Sequence, residues 1–180
     1  SIHDFAVLRA INNITIVAPA DNFETQESIK SAVNFDKPLF IRFGKKPTLN
    51  IHDKNEKFKI GKAIIVSKGT DVTFVAIGET VQRAVLASQI LEKEGITSTV
   101  VSMHTLKPFD ENTFLDSIQN SRALITLEEH SMNGGLGEKC ASIISQKNIQ
   151  IAFKILGIPD EYMVNGSQSD VLDYYDMQPE

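Results

Sequence analysis

The chain has little of what would mark a disulfide scaffold, a membrane span or a nucleic-acid surface. A single cysteine, Cys140, occurs in 180 residues, which excludes an internal disulfide and a cysteine-rich zinc cluster. No apolar run approaches the roughly 20 residues that a bilayer-spanning helix needs, and the opening residues carry no signal-peptide pattern. The net charge is −5, with acidic and basic residues interspersed, so no basic face is predicted for binding phosphate backbones. We therefore expect a cytoplasmic protein that binds neither nucleic acid nor a membrane.

Histidine and cysteine are too dispersed to predict a metal or thiol site. The four histidines do not recur at metal-ligand spacing: His3, His52, His104 and His130. His52 stands in a polar stretch and is expected to be solvated. Cys140 lies at helical spacing from Leu136 and Ile143, and the sequence shows neither the base nor the electropositive setting that a nucleophilic cysteine needs. A buried structural thiol is therefore predicted.

The opening section predicts a strand, a helix and a second strand. Residues 14–19 form a β-branched run closed by a proline, which is typical of a strand. Asp21 follows as the expected N-cap, with Glu24 three residues later in a capping-box pattern. The helix is predicted to bury one face, formed by Ile29, Ala32 and Val33. Residues 38–43 predict the second strand, with Arg42 near its carboxyl end.

The sequence divides into three parts. By this interpretation, residues 1–46 are the C-terminal part of a larger domain. They are too few to bury the faces of their own strands and helix, so we expect the chain to be a fragment. Residues 47–57 are polar and have no apolar period, which indicates a linker. Residues 58–180 are long enough for an independent core.

From residue 58 onward, apolar strands alternate with helices. The expected strands are residues 63–66, 72–77, 97–103, 123–127 and 151–156. Helices are expected with Thr80 and Asp110 as N-caps, along the stripe of Leu136 and Cys140, and from Ser169 or Asp170 to Tyr175, with Gly95 ending the first of them. This α/β alternation predicts a mostly parallel sheet covered on both faces. The short turn between the first two strands suggests one antiparallel edge strand.

Two arginines and one glycine-rich segment are the candidates for function. The segment from Glu128 to Gly137 leaves a strand with two acidic residues and a histidine and enters a helix through glycines. Such a segment either holds an anion on the helix N–H groups or allows close packing of the helix against the sheet or another subunit. Arg9 and Arg42 could each bind a phosphate through a planar guanidinium or form an ion pair. By themselves these residues support only an α/β protein that binds an anionic metabolite.

The order and spacing of the motifs resemble those of the transketolase family. Residues 1–21 are similar to the family segment that reads Leu-Arg-x-Ile-Pro-Asn, then an apolar strand and Pro-x-Asp, with Asn12 in place of the usual proline. The Ile-Arg-Phe-Gly of residues 41–44 resembles the end of the family's pyrimidine-binding domain. Residues 126–137 resemble the signature of its C-terminal domain, and residues 157–167 resemble that domain's last strand and loop. The resemblance therefore implies a partial pyrimidine-binding domain followed by a transketolase-type C-terminal domain.

The resemblance also implies an activity, namely transfer of a two-carbon ketol unit between sugar phosphates by a thiamine-diphosphate-dependent transketolase. It places thiamine diphosphate, Mg²⁺ and the catalytic groups outside this chain, so the chain alone is expected to be inactive. Arg42 and Arg9 match positions that face the sugar-phosphate end of the substrate. The implied partners are sugar phosphates, a pyrophosphate-domain portion or subunit, and a second copy in a homodimer.

Two alternatives remain open from the sequence. Deoxyxylulose-phosphate synthases carry an Ile-Arg-Tyr-Pro-Arg-Gly-like stretch that is similar to residues 41–44. Beta subunits of 2-oxo-acid dehydrogenases usually place an acidic residue and a histidine there, which argues against them. The other alternative is a non-catalytic module for dimerisation or regulation. An upstream Thr-His motif with a cofactor-activating glutamate would favour the enzyme over the module.

Overall fold

The computed structural model describes residues 2–44, 49–53, 55–162, 164–175 and 177–179. The helices in these residues are α1 (Asp4–Arg9), α2 (Asn22–Ala32), α3 (Thr80–Lys93), α4 (Glu111–Ile118), α5 (Leu136–Gln146) and α6 (Gln168–Tyr174). The strands are β1 (Thr15–Val17), β2 (Leu39–Ile41), β3 (Ile64–Ser67), β4 (Val72–Ala76), β5 (Ser98–Ser102), β6 (Thr105–Lys107), β7 (Ala123–Ser131) and β8 (Ala152–Ile158). Residues 45–48 and 54, which include part of the predicted linker, lie outside the described residues.

The strands form two sheets. The larger has the order β3-β5-β4-β7-β8, and every neighbouring pair is parallel except β3 with β5. The smaller has the order β2-β1-β6, with β2 parallel and β6 antiparallel to β1. The predicted α/β fold, with a mostly parallel sheet and one antiparallel edge strand, is confirmed. Neither α1 nor β6 was predicted from the sequence.

The antiparallel edge strand has a different partner from the one that its short turn suggests. β3 pairs with β5, with Ile64 opposite Ser102 and Ile65 opposite Val101, and does not pair with β4. The turn crosses the beginning of β5, where the Gly69 N–H donates to the Thr99 hydroxyl at 3.0 Å. The β4–α3–β5 crossover places β5 directly beside β4, so the only free edge left for β3 on that side is that of β5.

Apolar side chains cover both faces of the larger sheet. One cluster joins the sheet to α1, α4 and α5 and includes Phe5, Val75 and Cys140. The other lies on the α3 side and includes Phe74 and Val81. Phe74 and Val75 are consecutive in β4 and enter opposite clusters, as strand alternation requires. None of the described helices combines the length and the apolar character needed to cross a bilayer.

Local signals placed several helix ends correctly. Asp21 and Asp110 are the N-caps of α2 and α4, and each side chain accepts a hydrogen bond from the backbone N–H three residues later. α3 ends at Lys93, and Gly95 follows with a φ of +77°, a conformation that favours glycine.

Two other predicted helix starts are wrong. Thr80 is the first residue of α3 rather than its cap, and its hydroxyl donates to the carbonyls of Ile77 and Leu127. The bond to Leu127 ties the start of α3 to β7, a tertiary contact that no local signal reveals. α6 begins after Ser167, whose hydroxyl accepts from the Asp170 N–H in a capping box. The cap therefore lies earlier than the predicted Ser169 or Asp170.

The predicted buried face of α2 is also wrong. Ile29 and Val33 are 51 % and 78 % exposed, whereas Glu24 and Ser28 are buried. Glu24 accepts hydrogen bonds from the Ala20 N–H and the Ser102 hydroxyl, each at 2.6 Å. Because these bonds satisfy a carboxylate inside the protein, the polar side of the helix can face inward.

Candidate functional site

Three pieces of chain that are distant in sequence meet at the carboxyl end of β7. We call them the arginine seam: residues 4–9 of α1, Arg42 at the end of β2, and residues 128–137. Arg9 and Arg42 both donate hydrogen bonds to backbone carbonyls of residues 128–137. The structure therefore brings together the two predicted phosphate-binding arginines and the predicted glycine-rich segment.

Glu128 occupies the amino end of α5. Its side chain is buried, and its two oxygens accept from the Leu136 N–H at 2.7 Å and the Gly137 N–H at 2.9 Å. Burial raises the pKa of the Glu128 carboxyl to about 7, although both hydrogen bonds favour its charged form. The helix end that could have held an external anion is thus occupied by the protein's own carboxyl group.

The glycines of the seam permit close packing. A Cβ atom on Gly135 would lie 1.8 Å from Glu128 Oε2, and one on Gly137 would lie 2.4 Å from Ile155 Cγ2. Gly134 has a φ of +79°, and a Cβ there would lie 2.5 Å from the Cβ of Ala6 in α1. Of the two sequence interpretations, packing therefore accounts for these positions.

Arg9 holds α1 against the glycine turn. Its Nη1 donates to the carbonyls of Gly134 and Gly135, the latter at 2.7 Å. The Arg9 carbonyl in turn accepts from Lys107 Nζ at 3.0 Å. Arg9 is half-buried, and a guanidinium carries five N–H donors, so the contacts to these two carbonyls leave further donors available.

Arg42 is held on three sides. Its Nη2 donates to the Glu129 carbonyl at 2.8 Å, its Nη1 lies 3.5 Å from Asp4 Oδ1, and its Cζ lies 5.0 Å from the centre of the Phe5 ring. The side chain is 18 % exposed. A cation over an aromatic face gains a modest electrostatic attraction, which is larger where water is excluded. Arg42 is therefore a fixed guanidinium at the edge of the protein rather than a mobile surface side chain.

His130 lies behind Phe5. The two rings stack with their centres 4.9 Å apart and their planes 20° from parallel. Phe5 was given no role from the sequence, and His130 was considered only as part of the segment from Glu128 to Gly137. No sequence signal could have joined them to Arg42, because these contacts link residues about 40 to 125 positions apart.

A second buried polar group lies at the start of α2, and we call it the acid–histidine cluster: Asp21, Glu24 and His52. His52 Nδ1 lies 3.0 Å from Asp21 Oδ2, and His52 Nε2 lies 3.3 Å from Glu24 Oε1. The His52 side chain is 2 % exposed. The expectation that His52 is solvated is therefore wrong, because its polar segment folds back onto α2.

Burial and polar contacts act in opposite directions on the charges of this cluster. Burial opposes ionisation of Asp21, but bonds from the His52 ring and from the N–H groups of Glu24, Ile51 and His52 outweigh it and lower the pKa. Burial raises the pKa of Glu24 to about 7 despite the nearby His52. Burial also opposes protonation of His52, but Asp21 and Glu24 outweigh it and raise the pKa of that imidazole.

Cys140 is fully buried, and burial raises the pKa of its thiol well above the usual range. The predicted structural thiol is thus confirmed, since a nucleophile needs an accessible thiolate. Across the described part of the chain, no group of three or more His, Cys, Asp or Glu side chains is arranged to hold a metal ion.

Two family models match the chain in the order that the motifs predict. The model described as "Transketolase, pyrimidine binding domain" matches residues 1–49, and "Transketolase, C-terminal domain" matches residues 61–180. The chain belongs to the transketolase family. It corresponds to the C-terminal part of a transketolase-family protein, which confirms the resemblance found in the sequence.

Individual members of the transketolase family are similar along nearly the whole chain. One subunit of the apulose-4-phosphate transketolase of Phocaeicola vulgatus is 34 % identical over 181 residues, which cover 100 % of this chain and 57 % of that protein. A 1-deoxy-D-xylulose-5-phosphate synthase of Dictyoglomus turgidum is 38 % identical over 176 residues, covering 97 % and 28 %. A solved structure described as "Split gene transketolase, inactive beta4 tetramer" aligns with a TM-score of 0.90 at 31 % identity, covering 99 % and 58 %. The chain thus spans little more than half the length of the two transketolase chains and less than a third of the length of the synthase.

Proposed function

We propose that this chain is the C-terminal part of a thiamine-diphosphate-dependent transketolase that transfers a two-carbon ketol unit between sugar phosphates. The observation that carries the proposal is the order of the two family matches, pyrimidine-binding before C-terminal, over nearly all of the chain. A relative that is itself named as one subunit of a transketolase supports a division of the enzyme between chains. We therefore assign this chain a pyrophosphate-binding partner portion or subunit, a homodimeric assembly and a cytoplasmic location.

The domain boundaries of the proposal follow the sequence. Residues 1–46 complete a pyrimidine-binding domain, and residues 58–180 form the transketolase-type C-terminal domain. Residues 47–57 are the linker between the two domains. The smaller sheet takes β6 from the C-terminal section, so the two sections share a sheet. In this assignment the C-terminal domain supports the pyrimidine-binding section and the dimer, and carries no catalytic group.

Arg42 and Arg9 are the residues that we assign to the phosphate of the substrate. Both are held by backbone carbonyls of one segment, and Arg42 remains partly exposed. A guanidinium with free donors binds phosphate in a planar, bidentate manner, and a pre-positioned one loses little side-chain freedom on binding. Binding the remote phosphate would orient the reacting end of the sugar.

Thiamine diphosphate, with Mg²⁺, would supply the bond-breaking chemistry of such an enzyme. In the described residues, no group of three or more His, Cys, Asp or Glu side chains is arranged to hold a metal ion. The amino end of α5, which could have bound a diphosphate, is already filled by Glu128. We therefore place both groups on the partner portion of the enzyme and assign this chain only positioning and binding roles.

Two other functions have an observation in their favour. The 38 % identity to a 1-deoxy-D-xylulose-5-phosphate synthase favours a synthase-like enzyme as the second candidate. Glu128, which makes the glycine-rich segment a packing element, favours a non-catalytic assembly module. Assays of ketol transfer and of deoxyxylulose phosphate formation distinguish both candidates from a transketolase.

The test is ketol transfer by the complete enzyme, this chain together with its pyrophosphate-binding partner, thiamine diphosphate and Mg²⁺. Xylulose 5-phosphate and ribose 5-phosphate are the substrates, and release of glyceraldehyde 3-phosphate is measured. We expect cofactor-dependent release, and none from the 180-residue chain by itself. Ketol transfer by the isolated chain would contradict the placement of the cofactor. Formation of deoxyxylulose phosphate from pyruvate and glyceraldehyde 3-phosphate would instead identify the synthase, and inactivity in both assays the module.

Arg42→Ala tests the phosphate assignment in the same assay. We expect the KM for xylulose 5-phosphate to rise about tenfold or more, because a hydrogen bond to a charged group contributes about 1.5–3 kcal/mol. The KM for hydroxypyruvate, a donor without a phosphate, should change little. Arg122→Ala is the matched control, since the Arg122 guanidinium is exposed and pairs with Asp71. Equal effects on both donors would contradict the assignment of Arg42.

A further inference from the structure

Two stacked rings, those of Phe5 and His130, lie behind the Arg42 guanidinium. Arg42 lies over the Phe5 ring at 5.0 Å, and the Phe5 ring stacks on His130 at 4.9 Å. Phe5 and His130 are 1 % and 0 % exposed, so neither ring contacts solvent to any extent. Neither ring belongs to the groups that we assign to the substrate, yet the two fill the space behind Arg42.

Two hydrogen bonds of His130 favour a neutral imidazole. Nδ1 lies 2.7 Å from the Ser131 carbonyl oxygen, which can only accept, so Nδ1 carries a proton. Nε2 accepts from the Ala6 N–H at 3.3 Å, so Nε2 carries none. Through these two bonds the ring joins α1 to the end of β7, and it holds Ala6, the residue that follows Phe5, in place.

The charged groups around His130 act in opposite directions. Asp4 Oδ1 lies 3.9 Å from Nε2 and Glu128 Oε2 lies 3.8 Å from Nδ1, and a negative charge at either position would favour protonation. Hydrogen bonds with the Ser131 and His3 backbone also favour protonation, but burial and the positive charge of Arg42 outweigh these groups and lower the pKa of His130. Protonation would also remove the acceptor of the Ala6 N–H and add a positive charge on the Arg42 side of the seam.

We infer that Phe5 and His130 are positioning residues for Arg42: stacked on each other and anchored to backbone groups, they set where its guanidinium meets a substrate phosphate. The inference rests on the proposed function, since it assumes that Arg42 binds phosphate. Phe5 supplies the surface on which the guanidinium lies, and neutral His130 keeps Phe5 and α1 in place. The Glu129 carbonyl and Asp4 then fix the rotation of the guanidinium.

The experiment measures KM and kcat of the complete enzyme with two donors, xylulose 5-phosphate and hydroxypyruvate. Phe5→Met keeps most of the volume of the side chain and removes the aromatic face, and Phe5→Leu is a second version in case the first packs poorly. We expect the KM for xylulose 5-phosphate to rise about fivefold, the scale of a lost cation–π contact, with kcat for hydroxypyruvate unchanged. Phe114→Leu is the control, because Phe114 is equally buried but belongs to α4.

His130→Gln separates the protonation state of the ring from its bulk. As pH falls from 8 towards the lowered pKa of His130, the KM for xylulose 5-phosphate should rise more in the wild type than in this variant, because protonation removes the acceptor of the Ala6 N–H and glutamine does not titrate. Titration of the substrate phosphate is common to both proteins and cancels in the comparison. His104→Gln is the control, since His104 is a buried histidine that stacks on Phe58 instead.

The outcomes separate this inference from the proposed function. If Arg42→Ala selectively weakens the phosphorylated donor but the Phe5 and His130 variants behave like Phe114→Leu and His104→Gln, the positioning role is wrong and the phosphate assignment stands. If Arg42→Ala affects both donors alike, the phosphate assignment fails, and the positioning role fails with it.

Discussion

The acid–histidine cluster and the arginine seam use the same residue types but shift the pKa values of their histidines in opposite directions. Each places a buried glutamate beside a buried histidine, and burial raises the pKa of both glutamates, Glu24 and Glu128, to about 7. The pKa of His52 is raised, whereas the pKa of His130 is lowered. Burial opposes protonation of both rings, and whether the neighbouring carboxylates outweigh it decides the direction of each pKa shift.

The difference follows from what each ring contacts. Both nitrogens of His52 face carboxylate oxygens, at 3.0 Å and 3.3 Å, so a protonated ring is stabilised on each side. His130 contacts the Ser131 carbonyl and the Ala6 N–H, and burial together with the Arg42 charge outweighs the groups that favour its protonation, which include the His3 backbone. The carboxylates near His130 lie farther away, at 3.8 Å and 3.9 Å. The longer distances to the carboxylates, the Ala6 N–H and the charge of Arg42 thus separate the two cases.

The largest effect that we expect is from Glu128→Ala. It leaves the N–H groups of Leu136 and Gly137 without their acceptor inside the protein and creates a cavity. The free energy of unfolding should fall by about 3–5 kcal/mol, since each buried unsatisfied group costs about 1–3 kcal/mol. Urea unfolding followed by circular dichroism measures it, with the exposed Glu92→Ala on α3 as control. A loss no larger than that of the control would show that water or a shift of α5 replaces the carboxyl group.

Gly134→Ala should have the next largest effect, and it tests the packing interpretation of the seam. Its Cβ would strain a φ of +79° and approach Ala6 Cβ to 2.5 Å. Gly95→Ala is a matched control, because Gly95 has a φ of +77° but no atom within 4 Å of the added Cβ. We expect a loss of about 1 kcal/mol for Gly95→Ala from backbone strain alone and about 3 kcal/mol for Gly134→Ala, where overpacking adds to it. Equal losses of unfolding free energy for Gly134→Ala and Gly95→Ala would mean that α1 shifts to accommodate the added Cβ atom without a cost in stability.

The smallest effects, on the order of 1 kcal/mol, concern pH and test the comparison directly. Because its folded pKa is raised, His52 stabilises the protein fully below its unfolded pKa and less as pH rises through the folded value. His130 has a lowered folded pKa, so its stabilisation is full above its unfolded pKa and is lost as pH falls towards the folded value. Urea unfolding at pH 5, 6.5 and 8 should therefore show the cost of His52→Gln shrinking as pH rises.

The cost of His130→Gln should shrink in the opposite direction, as pH falls. Trends of the same sign in the two variants would refute the assignment of opposite charge states. His104→Gln serves as a reference for a buried histidine outside both regions, since burial lowers the pKa of His104 to about 4. Over this pH range it should therefore resemble His130→Gln in sign.

Local sequence signals predicted the parts of the fold that depend on neighbours along the chain. The caps at Asp21 and Asp110 and the glycine end of α3 were predicted correctly, because each is formed within a few residues. The inward face of α2 was predicted wrongly, because its periodicity places Ile29 and Val33 together but does not show that Glu24 finds partners in the core. The candidate site shows the same division. Arg9 and Arg42 were named as candidates from the sequence, and the resemblance added their role towards a sugar phosphate, but their shared contact with residues 128–137 was not predicted.

The sequence by itself determined the family, the alternation of strands and helices, and the residues able to bind an anion, because these depend on residue type and spacing along the chain. Only the tertiary structure decided that Glu128 fills the amino end of α5, that His52 is buried and that His130 is neutral. Each of these depends on partners that lie from 8 to 124 residues away in the chain. A charge inside a protein is fixed by the donors and acceptors within hydrogen-bonding distance, and folding alone brings those together.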